Sequence, residues 1–245
     1  MELAERPVLN RTTIANIHGW LDSARADGAI ALIDKEENWT SFDCVAKLRN
    51  ATRIKKVGHA GTLDPLATGL LVLCFGRATK DIEKLQDDTK VYEVTIRMGA
   101  TSTTDDRAGD ITAIEHTTPS DEAIHAALRA FVGTIEQIPP SYSAIRHSGR
   151  RQYDLAREGK DFTPKPRVVT VHSITNVVVK WPLVRCTIEC SKGTYIRSIA
   201  RDVGAALGCG GYVEQLRRTA SGGFAAMSAL RVAEIAESIA AEATA

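Results

Sequence analysis

An unbroken apolar run of strand length, GLLVLCFG at residues 69–76, limits the possible folds more than any other feature of the sequence. A glycine-rich loop precedes this run and a polar segment follows it, which predicts a short buried strand. A clean alternation begins at residue 91 in VYEVTIRMG, where Tyr92, Val94 and Ile96 share one face and Glu93 lies on the other. This alternation predicts a second strand with one row of side chains facing the core.

Further helices and strands follow in no strict alternation. Thr40 and Asp43 form a capping box that predicts a helix start, and Thr118 is predicted as the N-cap of another helix with Pro119 in its first position. The order favours an α+β protein over a doubly wound sheet. The predicted strands are at residues 28–34, 167–174 and 183–190. The predicted helices are at residues 12–25, 40–50, 78–88, 118–131 and 151–158, and a glycine-led turn leads into a further helix within residues 191–208.

Length and composition are those of an ordinary globular protein. At 245 residues, 44% apolar and 25% charged, the chain has room for one large domain or two small ones. No apolar run approaches the roughly 20 residues of a membrane span, and acidic residues in the first 30 positions argue against a signal peptide. We therefore expect a soluble protein of the cytoplasm.

The five cysteines form no C-x-x-C pair of the kind found in zinc and redox sites. We interpret them as free thiols of the core in a reducing compartment. No metal site is predicted.

Basic residues are concentrated in one region, although the formal net charge is only +1. Residues 140–220 hold 14 basic and 6 acidic side chains, whereas residues 1–139 hold 16 basic and 21 acidic ones. A positive region in an otherwise acidic chain indicates a polyanionic partner, because neutralised phosphates release their counterions. Charge alone leaves a solvated surface without a partner equally open.

Asp64 is the single carboxylate in the stretch GHAGTLDPLATGLL at residues 58–71. Pro65 biases it towards an extended conformation, so the loop displays the carboxylate. The alternative is an aspartate that accepts hydrogen bonds in a tight turn. The glycines do not make a phosphate loop, because no Gly-Lys-Ser/Thr sequence ends the stretch.

Arg197 falls in the first turn of a predicted helix, where the helix dipole disfavours a cation. A carboxylate beside it would compensate and would itself be kept ionised, and Asp64 is a candidate. The alternative is an exposed arginine without a partner. Tyr92 and Tyr195 begin a strand and a helix, where a flat ligand can stack, although most such tyrosines pack in the core.

Five segments occur together in order: WTSFD, GHAGTLDPLATGLL, KVYEVTIRMG, IEQIPPSYSAIR and CSKGTYIRSIARDVGAALG. They closely resemble the bacterial TruB family, the tRNA pseudouridine-55 synthases, from about residue 29 to residue 220. The resemblance implies the pseudouridine synthase fold, with a central mixed, mostly antiparallel sheet flanked by helices and loops. The implied domains are a helical extension at 1–28, a catalytic domain at 29–230 with a basic RNA-binding arm at about 140–167, and a helical tail at 231–245.

The resemblance also implies roles for individual residues. Asp64 matches the catalytic nucleophile and Arg197 its partner. Tyr92 matches the tyrosine that stacks on the target uracil and takes part in the late proton transfer from C5. The substrate-binding positions are His59, which would hold the T loop open in the space left by the flipped base, Tyr195, which would line the base pocket, Leu216, its apolar floor, and Lys35 and Lys80, near the site or the RNA backbone.

The implied activity is isomerisation of uridine 55 in the T loop of tRNA, with base flipping. It needs no cofactor and no metal, and the expected state is a monomer without an obligatory protein partner. Phosphates of the T arm would lie against the basic arm, at Arg146, Arg150, Arg151, Arg157, Lys160, Lys165 and Arg167, with Lys192, Arg217 and Arg218 extending the track.

Two departures from the family pattern bear on these roles. The family reads D-K-P-x-G-x-T-S where this chain has DKEENWTS, so Glu36 and Asn38 replace the proline and the glycine. About 20 residues follow Phe224, which is too few for the C-terminal PUA domain of many relatives. We expect affinity for tRNA to rest on the catalytic domain, and guide-RNA dependence to be absent.

Two competing hypotheses remain. One keeps the chemistry and changes the RNA to another tRNA site or a T-loop-like element. The other is a non-catalytic protein that binds or folds RNA with the same surface. The joint presence of Asp64, Tyr92 and Arg197 favours the enzyme, since a protein that only binds RNA has no need of a nucleophile.

Overall fold

The computed structural model describes residues 5–115, 117–140 and 165–242, together with the backbone of residues 146–147 and 150–151. The chain forms two compact units. Unit 1 contains Met1–Tyr92 and Arg217–Ala245, and unit 2 contains Glu93–Leu216. The first and the last segments of the chain therefore belong to the same unit.

Short and long strands alternate along the chain without a repeating order. They are β1 Val8–Leu9, β2 Ala29–Lys35, β3 Val57–His59, β4 Thr68–Phe75, β5 Lys90–Met98, β6 Ala100–Ser102, β7 Ile111–Ala113, β8 Gly133–Gln137, β9 Arg146–His147, β10 Arg150–Arg151, β11 Arg167–Lys180, β12 Leu183–Cys190, β13 Gly211–Ser221 and β14 Phe224–Ala225. β5 and β13 each begin in one unit and end in the other.

Six α-helices accompany the strands in the described part of the chain. They are α1 Ile17–Ala26, α2 Ser41–Thr52, α3 Ile82–Gln86, α4 Asp121–Ala130, α5 Ile196–Ala206 and α6 Val232–Glu242, with 3-10 turns at Ile14–Asn16, Gly76–Asp81 and Ala226–Ser228. The α+β class is confirmed. The short helix predicted at 151–158 lies outside the described residues, apart from residue 151 in β10.

The helix starts show one success and one error of the sequence analysis. The capping box of α2 is confirmed, since the Thr40 hydroxyl accepts from the Asp43 amide at 3.0 Å and the Asp43 carboxylate accepts from the Thr40 amide at 2.8 Å. The N-cap of α4 was predicted wrongly. Ser120, not Thr118, accepts from the Ala123 amide at 3.2 Å. The helix begins two residues later than predicted, because the Ser120 hydroxyl reaches the first turn.

The sheet of unit 1 is centred on β4, which is buried from Gly69 to Phe75 as the apolar run predicts. β2 pairs antiparallel with β4, with Lys35 opposite Gly69. β3 pairs antiparallel with the end of β4, and Arg217 and Arg218 of β13 pair parallel with its start. β1 is parallel to β2. The predicted mixed sheet is thus present, and it holds the start of β4 between two strands.

The predicted N-terminal extension packs into the core of unit 1. Trp20 of α1 is buried, and its indole N–H donates to the Ile30 carbonyl at 2.9 Å. The rings of Trp20 and Phe75 form a T-shaped pair with centroids 5.0 Å apart. The described part of this segment, from residue 5, therefore contributes to the core.

The last segment of the chain closes the other side of the same unit. The Leu230 amide donates to the Leu32 carbonyl, and the Asp34 amide donates to the Leu230 carbonyl, each at 2.9 Å. The predicted helical tail is present as α6, which buries Val232 and Ile235. Residues from both ends of the sequence thus complete one core.

Unit 2 is built on neighbouring strands in the order β5, β12, β11, β8. β12 and β8 each pair antiparallel with β11. Val94, Ile96 and Met98 of β5 are buried, whereas Glu93 and Arg97 are exposed, so the predicted alternation is confirmed at these positions. It is wrong at Thr95, which was expected on the outer face with Glu93 and Arg97 and is buried. With the mixed sheet of unit 1, the pairing is mostly antiparallel, as expected.

Helix α5 has one buried apolar face. Ile196, Ile199, Ala200 and Val203 are buried, while Leu207 follows the last helical residue and is half-buried. All five cysteines are buried and free, which confirms the interpretation of core thiols. In the described part of the chain, every helix is too short or too polar to cross a membrane.

Candidate functional site

The loop between β3 and β4 displays Asp64, the carboxylate singled out in the sequence. The Ala67 amide donates to the Asp64 carbonyl at 3.0 Å, which closes a tight turn. The Asp64 side chain is half-buried. Asp64 thus lies in a tight turn, and its side chain is partly accessible.

Ser41, the first residue of α2, holds the residue before Asp64. Its hydroxyl accepts from the Leu63 amide at 2.8 Å and donates to the Leu63 carbonyl at 3.1 Å. Ser41 is buried, so both bonds are shielded from water. The capping box that starts α2 therefore also fixes where Ser41 meets the Asp64 loop.

Lys35, at the end of β2, holds the residue after Asp64. Its ammonium donates to the carbonyls of Trp39 at 2.6 Å, Glu36 at 3.0 Å and Pro65 at 3.2 Å. The Asn38 amide also donates to the Pro65 carbonyl, at 2.9 Å. Asn38 has a φ of 66°, a left-handed conformation that asparagine tolerates when it replaces the family's glycine.

Lys35 affects Asp64 through its charge in addition to its hydrogen bond to the neighbouring Pro65 carbonyl. Lys35 is 0% exposed, and burial lowers its pKa from 10.5 to about 8. Nearby acidic groups oppose the shift, among them Cys44 and Asp64. At neutral pH Lys35 is still an ammonium, and its positive charge favours the ionised form of a neighbouring carboxylate.

Arg218 of β13 binds the start of the loop at Gly61. The sequence analysis assigned it wrongly. It was predicted to extend the RNA track, yet it is 1% exposed. Its guanidinium donates to the Leu70 carbonyl at 2.7 Å and to the Gly61 carbonyl at 3.1 Å. Gly69, opposite it with a φ of 96°, has no space for a Cβ, which would overlap the Arg218 carbonyl oxygen.

His59 is the last residue of β3, directly before the Asp64 loop. Burial and the nearby Arg218 guanidinium lower the pKa of His59, and a backbone interaction with Gly61 only partly offsets them. The buried Nδ1 finds no hydrogen-bond partner among the described residues. The imidazole is therefore neutral at pH 7.

In unit 2, Arg197 of α5 has the carboxylate partner that its position requires. Arg197 and Asp106 are both buried, and a guanidinium nitrogen of Arg197 lies 3.5 Å from a carboxylate oxygen of Asp106. The same nitrogen donates to the Thr104 carbonyl at 3.0 Å. The Thr104 hydroxyl bonds the Asp106 carboxylate at 2.6 Å. The sequence analysis did not identify Asp106. The predicted pair of Arg197 with Asp64 stays a prediction.

Gln137, at the end of β8, fixes the main chain of Tyr195. Its side-chain oxygen accepts from the Tyr195 amide at 2.8 Å, and its side-chain nitrogen donates to the Tyr195 carbonyl at 3.1 Å. Gln137 is 2% exposed. Tyr195 is half-buried and stands directly before α5 with an extended backbone. This two-point contact fixes the main chain of Tyr195 directly before α5.

The other pocket candidates are distributed over both units. Tyr92 is half-buried at the start of β5 in unit 1, and Leu216 is half-buried on β13 in unit 2. Lys80 is exposed in the turn after β4. Their predicted roles stay predictions.

The predicted RNA-backbone residues differ in availability. Arg217 forms a two-point ion pair with Asp34, with both N–O distances at 2.9 Å, so much of its charge is already balanced. Lys192, Lys165 and Arg167 are exposed. For Arg146, Arg150 and Arg151 the structure describes only the backbone, a short antiparallel pair of β9 with β10. Arg157 and Lys160 lie outside the described residues.

Among the residues that the structure describes, there is no cluster of His, Cys, Asp and Glu that could hold a metal ion. The arrangement offers instead one partly accessible carboxylate on a loop fixed through its main chain, with an ammonium beside it. Such a group serves as a nucleophile or a base.

Two family models match consecutive parts of the sequence. The model described as "TruB family pseudouridylate synthase (N terminal domain)" matches residues 49–196, more than half of the chain. The model described as "tRNA pseudouridylate synthase B C-terminal domain" matches residues 197–244.

Curated relatives named tRNA pseudouridine synthase B are similar over most of the chain. The Cupriavidus metallidurans protein is 45% identical over 208 residues, which cover 84% of this chain and 66% of the relative. The Caulobacter sp. strain K31 protein is 48% identical over 201 residues, which cover 81% of this chain and 64% of the relative. The chain thus spans just under two thirds of the length of these relatives.

Solved structures show the same architecture. A chain of the Cbf5-Nop10-Gar1 complex is 27% identical with a TM-score of 0.65, and the match covers 84% of this chain and 52% of that one. A chain of an H/ACA RNP bound to a substrate RNA containing 2'-deoxyuridine is 25% identical with a TM-score of 0.61, covering 84% and 50%.

The fold is therefore the pseudouridine synthase fold that the sequence motifs implied. Within that class, the chain belongs to the TruB family of pseudouridylate synthases.

Proposed function

We propose that this protein isomerises uridine 55 in the T loop of tRNA to pseudouridine, with Asp64 as the catalytic nucleophile. The proposal rests on membership of the family and on one observation in unit 1. That observation is a partly accessible Asp64 in a loop whose main chain is bound by Ser41, Lys35 and Arg218.

The reaction exchanges one bond to the ribose for another. The bond from uracil N1 to C1′ breaks, the detached base turns in its pocket, and uracil C5 bonds to the same C1′. The proton of C5 leaves and N1 gains one, so no redox partner, cofactor or metal is required. The Asp64 carboxylate can attack C1′, attack uracil C6, or assist the loss of a ribose proton.

The remaining residues retain and position the base. Tyr92 stacks on the uracil and takes part in the late proton transfer from C5, and Tyr195 and Leu216 line the pocket. His59, neutral at pH 7, occupies the space that the flipped uridine leaves in the loop. Arg197 pairs with Asp64 in the assembled site and keeps it ionised.

The substrate is bound through the T arm, whose phosphates lie against the basic arm that includes Arg146, Arg150, Arg151 and Arg157. We propose that the protein acts in the cytoplasm as a monomer and needs no other protein.

Tritium release from a T-arm hairpin labelled at uridine C5 tests the proposal, because loss of that hydrogen defines the isomerisation. We expect release by the wild type and none by Asp64→Asn, which keeps the size of the side chain and removes its charge. Both proteins should bind the hairpin with similar Kd. A hairpin with cytidine in place of the target uridine, labelled at its remaining uridines, is the control for the site.

Two results would contradict the proposal. Tight binding by the wild type without release, from the hairpin or from whole tRNA, would identify a non-catalytic RNA-binding protein of the same fold. Release that persists in the cytidine-substituted hairpin would keep the chemistry and move it to another uridine.

A further inference from the structure

A run of basic residues crosses α2 and the segment before β3. Between Asp43 and Asp64 the sequence has five lysines and arginines and no acidic residue. In contrast, the whole of residues 1–92 holds 13 basic and 13 acidic side chains, so the rest of that segment is acidic. The five residues are Lys47, Arg49, Arg53, Lys55 and Lys56.

The charges of this run are available to a partner. Lys47, Arg53, Lys55 and Lys56 are exposed and Arg49 is half-buried. Within the described ranges, no carboxylate forms an ion pair with any of the five. This sets them apart from Arg217, whose charge Asp34 balances.

Helix periodicity divides the run into two faces. Arg49 lies near Phe42, two turns earlier, with its guanidinium carbon 6.0 Å from the ring centroid. Phe42 is 62% exposed, so this flank presents an aromatic ring beside a cation. Arg53 follows one turn after Arg49 at the end of α2. Lys47 lies on the opposite flank, because two residues of helix rotate a side chain by about 200°.

The segment after α2 leads into β3, which ends at His59 before the Asp64 loop. The Lys56 carbonyl accepts from the Gly76 amide at 2.8 Å, which ties this residue to the end of β4. Lys56 is three residues before His59, about 10 Å in extended chain. At its other end, α2 begins with Ser41, which bonds Leu63. All of these contacts lie within unit 1.

We propose that Arg49, Arg53, Lys55 and Lys56 form a phosphate-binding surface for the substrate RNA, separate from the basic arm at about 140–167. We call it the α2–β3 basic surface. The proposal builds on the proposed function, since it assumes that the RNA reaches Asp64. Unpaired cations bind phosphates with release of counterions, and the exposed Phe42 ring offers a stacking surface to an unpaired base.

The salt dependence of hairpin binding tests the surface with matched variants. The slope of log K against log salt is negative, and each lost phosphate contact reduces its magnitude by about 0.7 to 0.9. We expect Lys56→Gln to reduce the magnitude of the slope by that amount, and the double variant Lys55→Gln/Lys56→Gln to reduce it by about twice as much. Lys47→Gln, which removes the same charge from the other flank of α2, should leave the slope unchanged. Thermal unfolding shows that each variant is folded.

The outcomes separate this inference from the proposed function. Binding needs no turnover, so a wild type that binds the hairpin without releasing tritium contradicts the proposed function and leaves the slope comparison valid. An active enzyme whose Lys56→Gln and Lys47→Gln variants share the wild-type slope overturns the α2–β3 basic surface alone. Equal losses in both variants also overturn it, because they reveal a general charge effect without a defined face.

Discussion

Lys35 is a fully buried lysine with three main-chain carbonyls as hydrogen-bond partners. Burying an ammonium is unfavourable unless hydrogen bonds and opposite charges replace its water. The three carbonyls and the nearby Asp64 supply that replacement only in part, because the pKa of Lys35 falls to about 8. Unit 1 therefore gives up stability in order to hold a positive charge beside this loop.

A pH-dependent stability follows from this lowered pKa. Below pH 8 Lys35 is protonated in the folded and the unfolded chain, and its burial opposes folding. Between about pH 8 and its ordinary pKa of 10.5, the unfolded chain keeps a proton that the folded chain has released, so stability rises with pH. We expect the wild type to gain up to about 3 kcal/mol relative to Lys35→Met over this range.

Urea unfolding of both proteins from pH 7 to pH 10 measures this difference. The comparison cancels the titration of other groups, such as the buried Cys74 and Cys186, whose raised pKa values act in the opposite direction. Parallel curves for the two proteins would show that Lys35 titrates as an ordinary lysine.

The contact between β8 and the start of α5 shows why an element can carry function without touching the substrate. Gln137 bonds both main-chain groups of Tyr195, so the end of a strand sets the residue that begins a helix. Replacing Gln137 removes the partner of the Tyr195 amide, at about 1–3 kcal/mol, whereas the Tyr195 carbonyl still accepts from the Ile199 amide at 3.2 Å.

Gln137→Leu tests this positioning role. We expect lower stability and, at temperatures where the variant stays folded, a fall in kcat of tritium release of roughly tenfold or more, with a smaller change in the Kd of the hairpin. That pattern follows if Tyr195 orients the detached base. Gln215→Leu, an exposed glutamine on β13, is the control and should behave as wild type. A loss of stability with unchanged kcat would reduce Gln137 to a structural role.

Elements with a local signal were predictable from the sequence. The apolar run of β4, the alternation of β5, the capping box of α2 and the buried face of α5 each depend on residues a few positions apart. Asp64, Tyr195 and Arg197 also stood out from their local sequence. The motif resemblance added their implied roles and further positions, which are His59, Leu216, Lys35 and Lys80. The anchors of the loops were missed because Ser41 is 22 residues from Leu63, and Arg218 is 157 residues from Gly61. The α2–β3 basic surface was hidden by counting charge over residues 1–139 as one block.

At the scale of the whole molecule, unit 1 takes its core from both ends of the sequence. Its strand β2 receives β1 and Trp20 from the first residues and Leu230 from the last. The sequence analysis assigned these segments as an extension and a tail, because neither contains a catalytic motif. Their apolar residues carry a long-range signal that periodicity does not locate.

Trp20→Ala tests whether the N-terminal segment is part of this core. We expect it to lower the free energy of unfolding by about 3–5 kcal/mol, since a large buried ring is lost together with its bond to Ile30. Asp22→Ala, on the same helix with 80% of its side chain exposed, should change it by less than about 0.5 kcal/mol. Equal denaturation midpoints for both variants would show that this helix is dispensable.

The anchors of the Asp64 loop have a consequence for protein engineering. Lys35, Ser41 and Arg218 bond main-chain atoms of Gly61, Leu63 and Pro65, not their side chains. The shape of the loop is therefore encoded by residues outside it. A loop transplanted into another scaffold would lose its conformation unless these three residues moved with it, whereas an exposed position such as Thr62 is open to library mutagenesis in place.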